Sequence, residues 1–162
     1  MKLCIHHVTK NYGDTRVLKD ISIDIDNALS VGIIGESGCG KSTLLRQLAG
    51  IENPNSGEIF VNGLSPIQHK KDFQNHIGVV FQKHNLFPHL TIKENITLIL
   101  QKIKKGDKSI SDARANELLE KLFITAEANK LPHEVSGGQA QRASIARALS
   151  TDPQILFLKQ LT

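Results

Sequence analysis

Apolar positions alternate with polar ones early in the chain and switch to a helical rhythm later. Lys2–Val8 reads as a strand, and Asn11-Tyr12-Gly13-Asp14 supplies a turn after it. Apolar residues then fall at Ile21, Ile23 and Ile25, with Leu18 out of phase, which predicts a half-buried strand over Val17–Ile25. Leu29–Ile34 is a compact apolar run, expected as a buried strand that feeds a glycine-rich loop. Lys41–Ala49 follows as a helix closed by Gly50. Asn53-Pro54-Asn55-Ser56-Gly57 is dense turn chemistry, and Glu58–Val61 and Ile77–Phe81 are predicted strands.

Beyond Phe81 the period lengthens. Thr91 and Glu94 form a capping-box pattern ahead of Ile92, Ile96, Ile99, Leu100 and Ile103 at helical spacing. Ser111–Phe123 is a second amphipathic helix with Ala115, Leu118, Leu119 and Leu122 on one stripe. Gln139–Ser150 is a third, and Gln154–Leu158 is a last apolar strand. Strands first, helices next and a late strand predict a mixed α/β architecture.

Composition changes this picture little. The 162 residues are 40% apolar and 22% charged, one soluble domain's worth, and the 4% aromatic content makes the core aliphatic. The formal net charge of +4 is dispersed. Its densest cluster, Lys102–Lys108, straddles a predicted helix end at Gly106 and reads as a solvated face, so no nucleic-acid partner is expected. Cys4 and Cys39 fit neither a disulfide framework nor a metal spacing. No run approaches the roughly 18 apolar residues of a membrane span, and the N-terminus lacks the apolar core of a secretory leader. Any membrane role is therefore expected to run through a partner.

Residues 35–42, Gly35-Glu36-Ser37-Gly38-Cys39-Gly40-Lys41-Ser42, match G-x-x-x-x-G-K-S, and Thr43 follows. Glycines permit positive φ and close backbone approach to an anion. Successive N–H groups then form a concavity for phosphate oxygens, and the following helix points its positive end at the same place. Lys41 adds a full charge for the β- and γ-phosphates. The Ser42 hydroxyl is a hard oxygen ligand suited to Mg²⁺. Cys39 reads either as a small residue filling a tight space or as a thiol activated by the helix end and Lys41.

About a hundred residues on comes Val135-Ser136-Gly137-Gly138-Gln139, followed by Ala140-Gln141-Arg142. Together the two motifs resemble the ATP-binding subunits of ABC transporters, with Val135 in place of the usual leucine of the signature. The resemblance covers Met1 to about Leu158. It implies a P-loop NTPase of the ABC type: a mixed sheet with an N-terminal antiparallel part, a helical subdomain, and the family's C-terminal part missing. Within one domain over 1–162 it implies a nucleotide-binding core over 1–81 with its phosphate loop at 35–43, a helical subdomain over 82–135, and the signature helix and last core strand over 136–162.

The resemblance also implies roles. ATP and Mg²⁺ would be the cofactors. Tyr12 would stack on adenine and Val17 would pack beside it. Gly35, Ser37, Gly38, Cys39, Gly40, Lys41, Ser42 and Thr43 would hold the phosphates, with Ser42 and Gln82 at the metal and Gln82 also catalytic, sensing the attacking water. Ser136, Gly137, Gly138 and Gln139 would meet the ATP of a second subunit in a head-to-tail dimer. An integral membrane permease would be the other partner, placing the protein on the cytoplasmic face of the membrane. Asn85–Thr91 and Leu131–Glu134 further resemble importers of polar amino acids.

One departure stands out. The family's last core strand ends in aspartate and glutamate, where this chain has Lys159 and Gln160. The aspartate would hold Mg²⁺ through water, and the glutamate would be the general base. An amide cannot accept that proton, and losing a positioned base typically costs about 10²–10⁴-fold. Alongside an ATP-hydrolysing importer subunit stands a second reading, an ATP-binding module with little or no turnover. The family pattern also places a further strand between the phosphate-loop strand and Gln154–Leu158. Without it the sequence predicts unpaired backbone and a chain unstable on its own.

Overall fold

The computed structural model of the chain describes residues 1–81, 84–104 and 107–159. They divide into two compact units, Met1–Gln74 and Asn75–Thr162.

The first unit is built on an antiparallel sheet. Strand β1 (Leu3–Tyr12) lies between β2 (Thr15–Ile25) and β3 (Ser56–Val61). Leu3, Ile5 and Val8 of β1 are buried with Ile59 and Val61 of β3. The β1–β2 register shifts between Ile5 and Val8 and again before Lys10. That irregularity corrects the expected phase of β2. Leu18 is its deeply buried residue at 4% exposure, whereas Ile23 is 40% exposed. A bulge moves later side chains to the other face, which simple alternation does not register.

Helix α1 (Lys41–Leu48) follows the glycine-rich loop and ends where Gly50 takes φ 64° and its N–H donates to the Gln47 carbonyl. Helix α2 (Lys70–Asn75), which the periodicity does not announce, buries Phe73.

The expected buried strand Leu29–Ile34 is not formed. Leu29 and Ile34 are fully exposed, and the segment pairs with no strand among the described residues. Extended backbone becomes a strand only when a neighbour completes its hydrogen-bond ladder. The run is apolar enough to be buried, but nothing in the sheet covers it.

The second unit packs helices around a small aliphatic core. Strands β4 (Ile77–Val80) and β5 (Ile155–Leu158) pair in parallel. Helices α3 (Ile92–Lys104), α4 (Lys108–Lys121) and α5 (Gly137–Leu149) bury Ile92, Ile96, Ala115, Leu118, Leu119, Ala143 and Ala146 in one cluster. The capping box is present: Thr91 N–H donates to Glu94 Oε2 at 2.8 Å, and Glu94 N–H to Thr91 Oγ1 at 3.2 Å. Phe123, expected inside α4, lies beyond its end with φ 56° and is 88% exposed. The predicted helix end at Gly106 lies outside the described residues.

Candidate functional site

The first unit carries the glycine-rich loop on its surface. Residues 35–39 are all exposed, and Gly40 is the N-cap of α1. Gly38 takes φ 83° and Gly40 φ 98°, so both need the left-handed region that glycine enters without a Cβ penalty. Space adds to the requirement at Gly40. A Cβ there would stand 3.0 Å from Leu18 Cδ2 and 3.2 Å from Val17 Cγ1. Val17, predicted at the site, is thus brought against the loop.

Lys41 braces the same turn. Its ammonium group donates to the carbonyls of Gly35 and Glu36, each at 2.7 Å. The Cys39 N–H donates to the Glu36 carbonyl at 3.3 Å, closing the loop on itself. The first-turn amides of α1 have no partner four residues back, so they face outward with the positive end of the helix. Cys39 Sγ lies 3.9 Å from Lys41 Nζ and would meet a Cβ on Gly35 at 2.9 Å. The thiol both fills the loop and remains exposed. Ser42 follows Lys41 in the first turn and is half-buried, and its hydroxyl is a hard oxygen of the kind Mg²⁺ accepts as a ligand. Thr43 is buried and accepts from Arg46 at 3.4 Å.

Tyr12 reaches this helix through a network that no local sequence signal discloses. Its hydroxyl donates to Glu52 Oε2 at 2.7 Å and accepts from Arg46 at 3.0 Å, while Arg46 Nε donates to the same carboxylate oxygen at 3.0 Å. Lys10 pairs with Glu52 Oε1 at 3.0 Å and sits 5.4 Å from the Tyr12 ring centre. Burial pushes the Glu52 carboxyl up, but hydrogen bonds from Tyr12, Lys10 and Arg46 outweigh it and hold it at about 2. Tyr12 is therefore fixed in orientation yet 43% exposed. Its anchors stand up to forty residues away, beyond any short pattern.

In the second unit the Ser-Gly-Gly-Gln motif opens α5, two residues earlier than the apolar pattern suggests. Ser136 is the N-cap. Its Oγ accepts from Gln139 N–H at 3.3 Å, and Gln139 Oε1 accepts from Ser136 N–H at 2.8 Å. Gln139 Nε2 also donates to Glu127 at 2.9 Å. Gly137 and Gly138 are exposed, and a Cβ on either would meet nothing closer than 4.0 Å. Close packing does not demand these glycines; they leave the helix mouth bare. Val135 packs partly buried against the aliphatic cluster, as a leucine would.

Three further residues, which no sequence motif announces, hold the segment from His84 to Thr91. Arg147 donates to the carbonyls of Asn85 at 2.7 Å and His84 at 3.2 Å, and Ser144 donates to His84 at 3.0 Å. Burial lowers the Arg147 pKa from its ordinary value. Asn95 is fully buried on the apolar stripe of α3. A polar residue at such a position was the one available clue. At the last core strand, Lys159 N–H donates to the Val80 carbonyl at 3.0 Å, so lysine directly continues β5. Gln82 and Gln160 lie outside the described residues.

A helix mouth whose loop requires glycine and is braced by Lys41, and a second helix mouth capped by Ser136 and left bare by two glycines, are the pair of features the sequence resemblance leads one to expect. Residues 18–160 match the family described as ABC transporter. This chain belongs to the ABC transporter family. It is 41% identical over 160 residues to a Chlorella vulgaris protein named "Probable sulfate/thiosulfate import ATP-binding protein CysA", covering 99% of this chain and 67% of that one. It is 41% identical over 163 residues to the glutamate/aspartate import ATP-binding protein GltL of Escherichia coli K12, covering 99% and 68%. Across the curated relatives it spans from 43% to 68% of their length. Among solved structures, the ATP-binding cassette MJ0796 in a dimeric post-hydrolysis state with ADP and Pi superposes with a TM-score of 0.86 at 34% identity. That match covers 95% of this chain and 72% of that one. The ABC cassette fold expected from the sequence is the one observed. Among the described residues no helix is long and apolar enough to cross a membrane.

Proposed function

We propose that this chain is the ATP-binding segment of an ABC importer and that it holds the ATP phosphates in the 35–43 loop. The observation that carries this reading is the loop itself. Gly38 and Gly40 have positive φ, and Lys41 is locked to the Gly35 and Glu36 carbonyls at the mouth of α1. Fixed amide dipoles and an ammonium charge in that geometry favour a polyphosphate over other anions of similar size. Gly35, Ser37, Cys39 and Thr43 complete the contact. Ser42, with Gln82, would hold Mg²⁺, which screens the phosphate charge. Tyr12, held by Glu52 and Arg46, offers its exposed ring to adenine, with Val17 beside it.

The partner assignments follow from the second helix mouth. Ser136, Gly137, Gly138 and Gln139 would meet the γ-phosphate bound to a second subunit, head to tail, and a permease in the membrane would receive the closing motion on its cytoplasmic side. The resemblance of Asn85–Thr91 and Leu131–Glu134 to polar amino acid importers, with the GltL likeness, favours an amino acid as the solute. The likeness to a sulfate/thiosulfate import protein is equally high, so solute choice is tested directly: radiolabelled uptake with the cognate permease, glutamate against sulfate.

A second reading rests on Lys159. A cation continuing β5 stands where the family has the aspartate that holds Mg²⁺ through water, and like charges there oppose the metal. On this reading the chain binds ATP and turns it over slowly. Phosphate release from the purified chain with Mg²⁺ and ATP separates the two. Turnover within about tenfold of an intact relative removes the second, since loss of a positioned base alone costs about 10²–10⁴-fold.

A further inference from the structure

The outward face of the first unit's sheet holds a group of side chains that the nucleotide site does not use. Leu3 and Ile5 of β1 point into the core, so Cys4 and His6 share the opposite face. The register sets Asp24 of β2 directly across from Cys4 and Glu58 of β3 directly across from His6. Three strands thus bring a thiol, an imidazole and two carboxylates to one patch. The ligand atoms of Cys4, His6 and Asp24 all lie within 4.8 Å of one another, and His6 Nε2 stands 3.9 Å from Asp24 Oδ1.

We propose that Cys4, His6 and Asp24 form a binding site for a divalent transition metal of the zinc class. Ligands about 2.0–2.3 Å from zinc stand roughly 3.3–3.8 Å apart in a tetrahedron, so small side-chain rotations bring the three into range. Thiolate with imidazole and carboxylate is a borderline-soft donor set. It selects zinc, cobalt or cadmium and rejects the hard Mg²⁺ that accompanies a nucleotide. Local charge favours the ion as well. Asp24 and Glu58 stand across from Cys4 and His6, and the nearby Lys2 is itself paired with Asp26 at 3.3 Å. Water completes the fourth position. Because its ligands come from β1 and β2, the ion ties the two strands together and stabilises the folded state in proportion to its concentration over Kd.

Co²⁺ titration of the chelator-treated full chain tests the site, since a cobalt–thiolate bond has its own near-ultraviolet charge-transfer absorption. The expected result is a saturating band that Zn²⁺ abolishes and millimolar Mg²⁺ leaves intact. The band is lost in Cys4→Ser and retained in Cys39→Ser. Asp24→Asn weakens binding by roughly tenfold or more, in the range typical of disturbed metal sites. Its thermal midpoint without metal matches that of the unaltered chain, because Asp24 is exposed. Absence of the band at saturating Co²⁺, its loss in Cys39→Ser, or unchanged affinity in Asp24→Asn would each overturn the site.

Discussion

The side-chain amide of Asn95 and the main chain of Phe87 are bonded in both directions. Asn95 Oδ1 accepts from Phe87 N–H at 2.7 Å, and Asn95 Nδ2 donates to the Phe87 carbonyl at 3.2 Å. The same Nδ2 also reaches the carbonyls of Leu90 and Thr91. One buried side chain therefore fixes the turn that leads into α3. Asn95→Ala should cost about 2–3 kcal/mol, because the freed backbone groups stay partly buried without partners. Hydrogen exchange at the Phe87 amide should accelerate more than exchange within α5. Equal acceleration in both places would mean that Asn95 does not act on the turn.

The Glu52 carboxyl sits at about 2 in the folded chain against an ordinary 4.5. A depressed carboxylate contributes stability above its unfolded value and loses that contribution as pH falls through the folded one. Glu52→Gln should therefore lower stability by about 1–2 kcal/mol at pH 7, after allowance for solvent screening. The gap between the two proteins should close between pH 4.5 and about 2 in denaturant titrations.

Gln47 is fully buried in α1, and neither of its amide atoms meets a hydrogen-bonding partner among the described residues. An unsatisfied buried amide costs about 1–3 kcal/mol, and an apolar side chain of similar size removes that cost. Gln47→Leu should raise the denaturation midpoint without altering the denaturant m-value.

Cys39 is exposed in the phosphate loop, 3.9 Å from the Lys41 ammonium group. A maleimide should label it, and saturating ATP should slow that labelling by an order of magnitude or more, as expected when ligand occupies most of the sites. Labelling of the half-buried Cys4 provides the internal control. Equal rates at Cys39 with and without ATP would place the nucleotide elsewhere.

Features encoded within a few consecutive residues are legible in the sequence. The glycine-rich turn into α1 and the Thr91–Glu94 capping box carry their hydrogen-bonding logic locally and form as expected, while the Ser136–Gln139 cap, equally local, starts α5 two residues before the apolar pattern does. Features that depend on partners far along the chain were not legible. The bulges of β1 shift the face of β2 in a way that alternation cannot show, so Leu18 rather than Ile23 became core. Leu29–Ile34 has the composition of a buried strand, but a strand also needs a neighbour, and none among the described residues pairs with it. Tyr12 could be proposed from its place in the family pattern. The Glu52 and Arg46 groups that orient it lie 40 and 34 residues away.

Lys41 at the mouth of α1 is the charge on which the proposed nucleotide binding depends. Isothermal titration of the folded chain with ATP and Mg²⁺ against the Lys41→Ala variant addresses it most directly. Saturable one-site heat that weakens by at least about tenfold in the variant, roughly 1.4 kcal/mol, with its circular dichroism spectrum unchanged, is the predicted result. Equal affinity in the two proteins, or no binding heat from a folded chain, would contradict it.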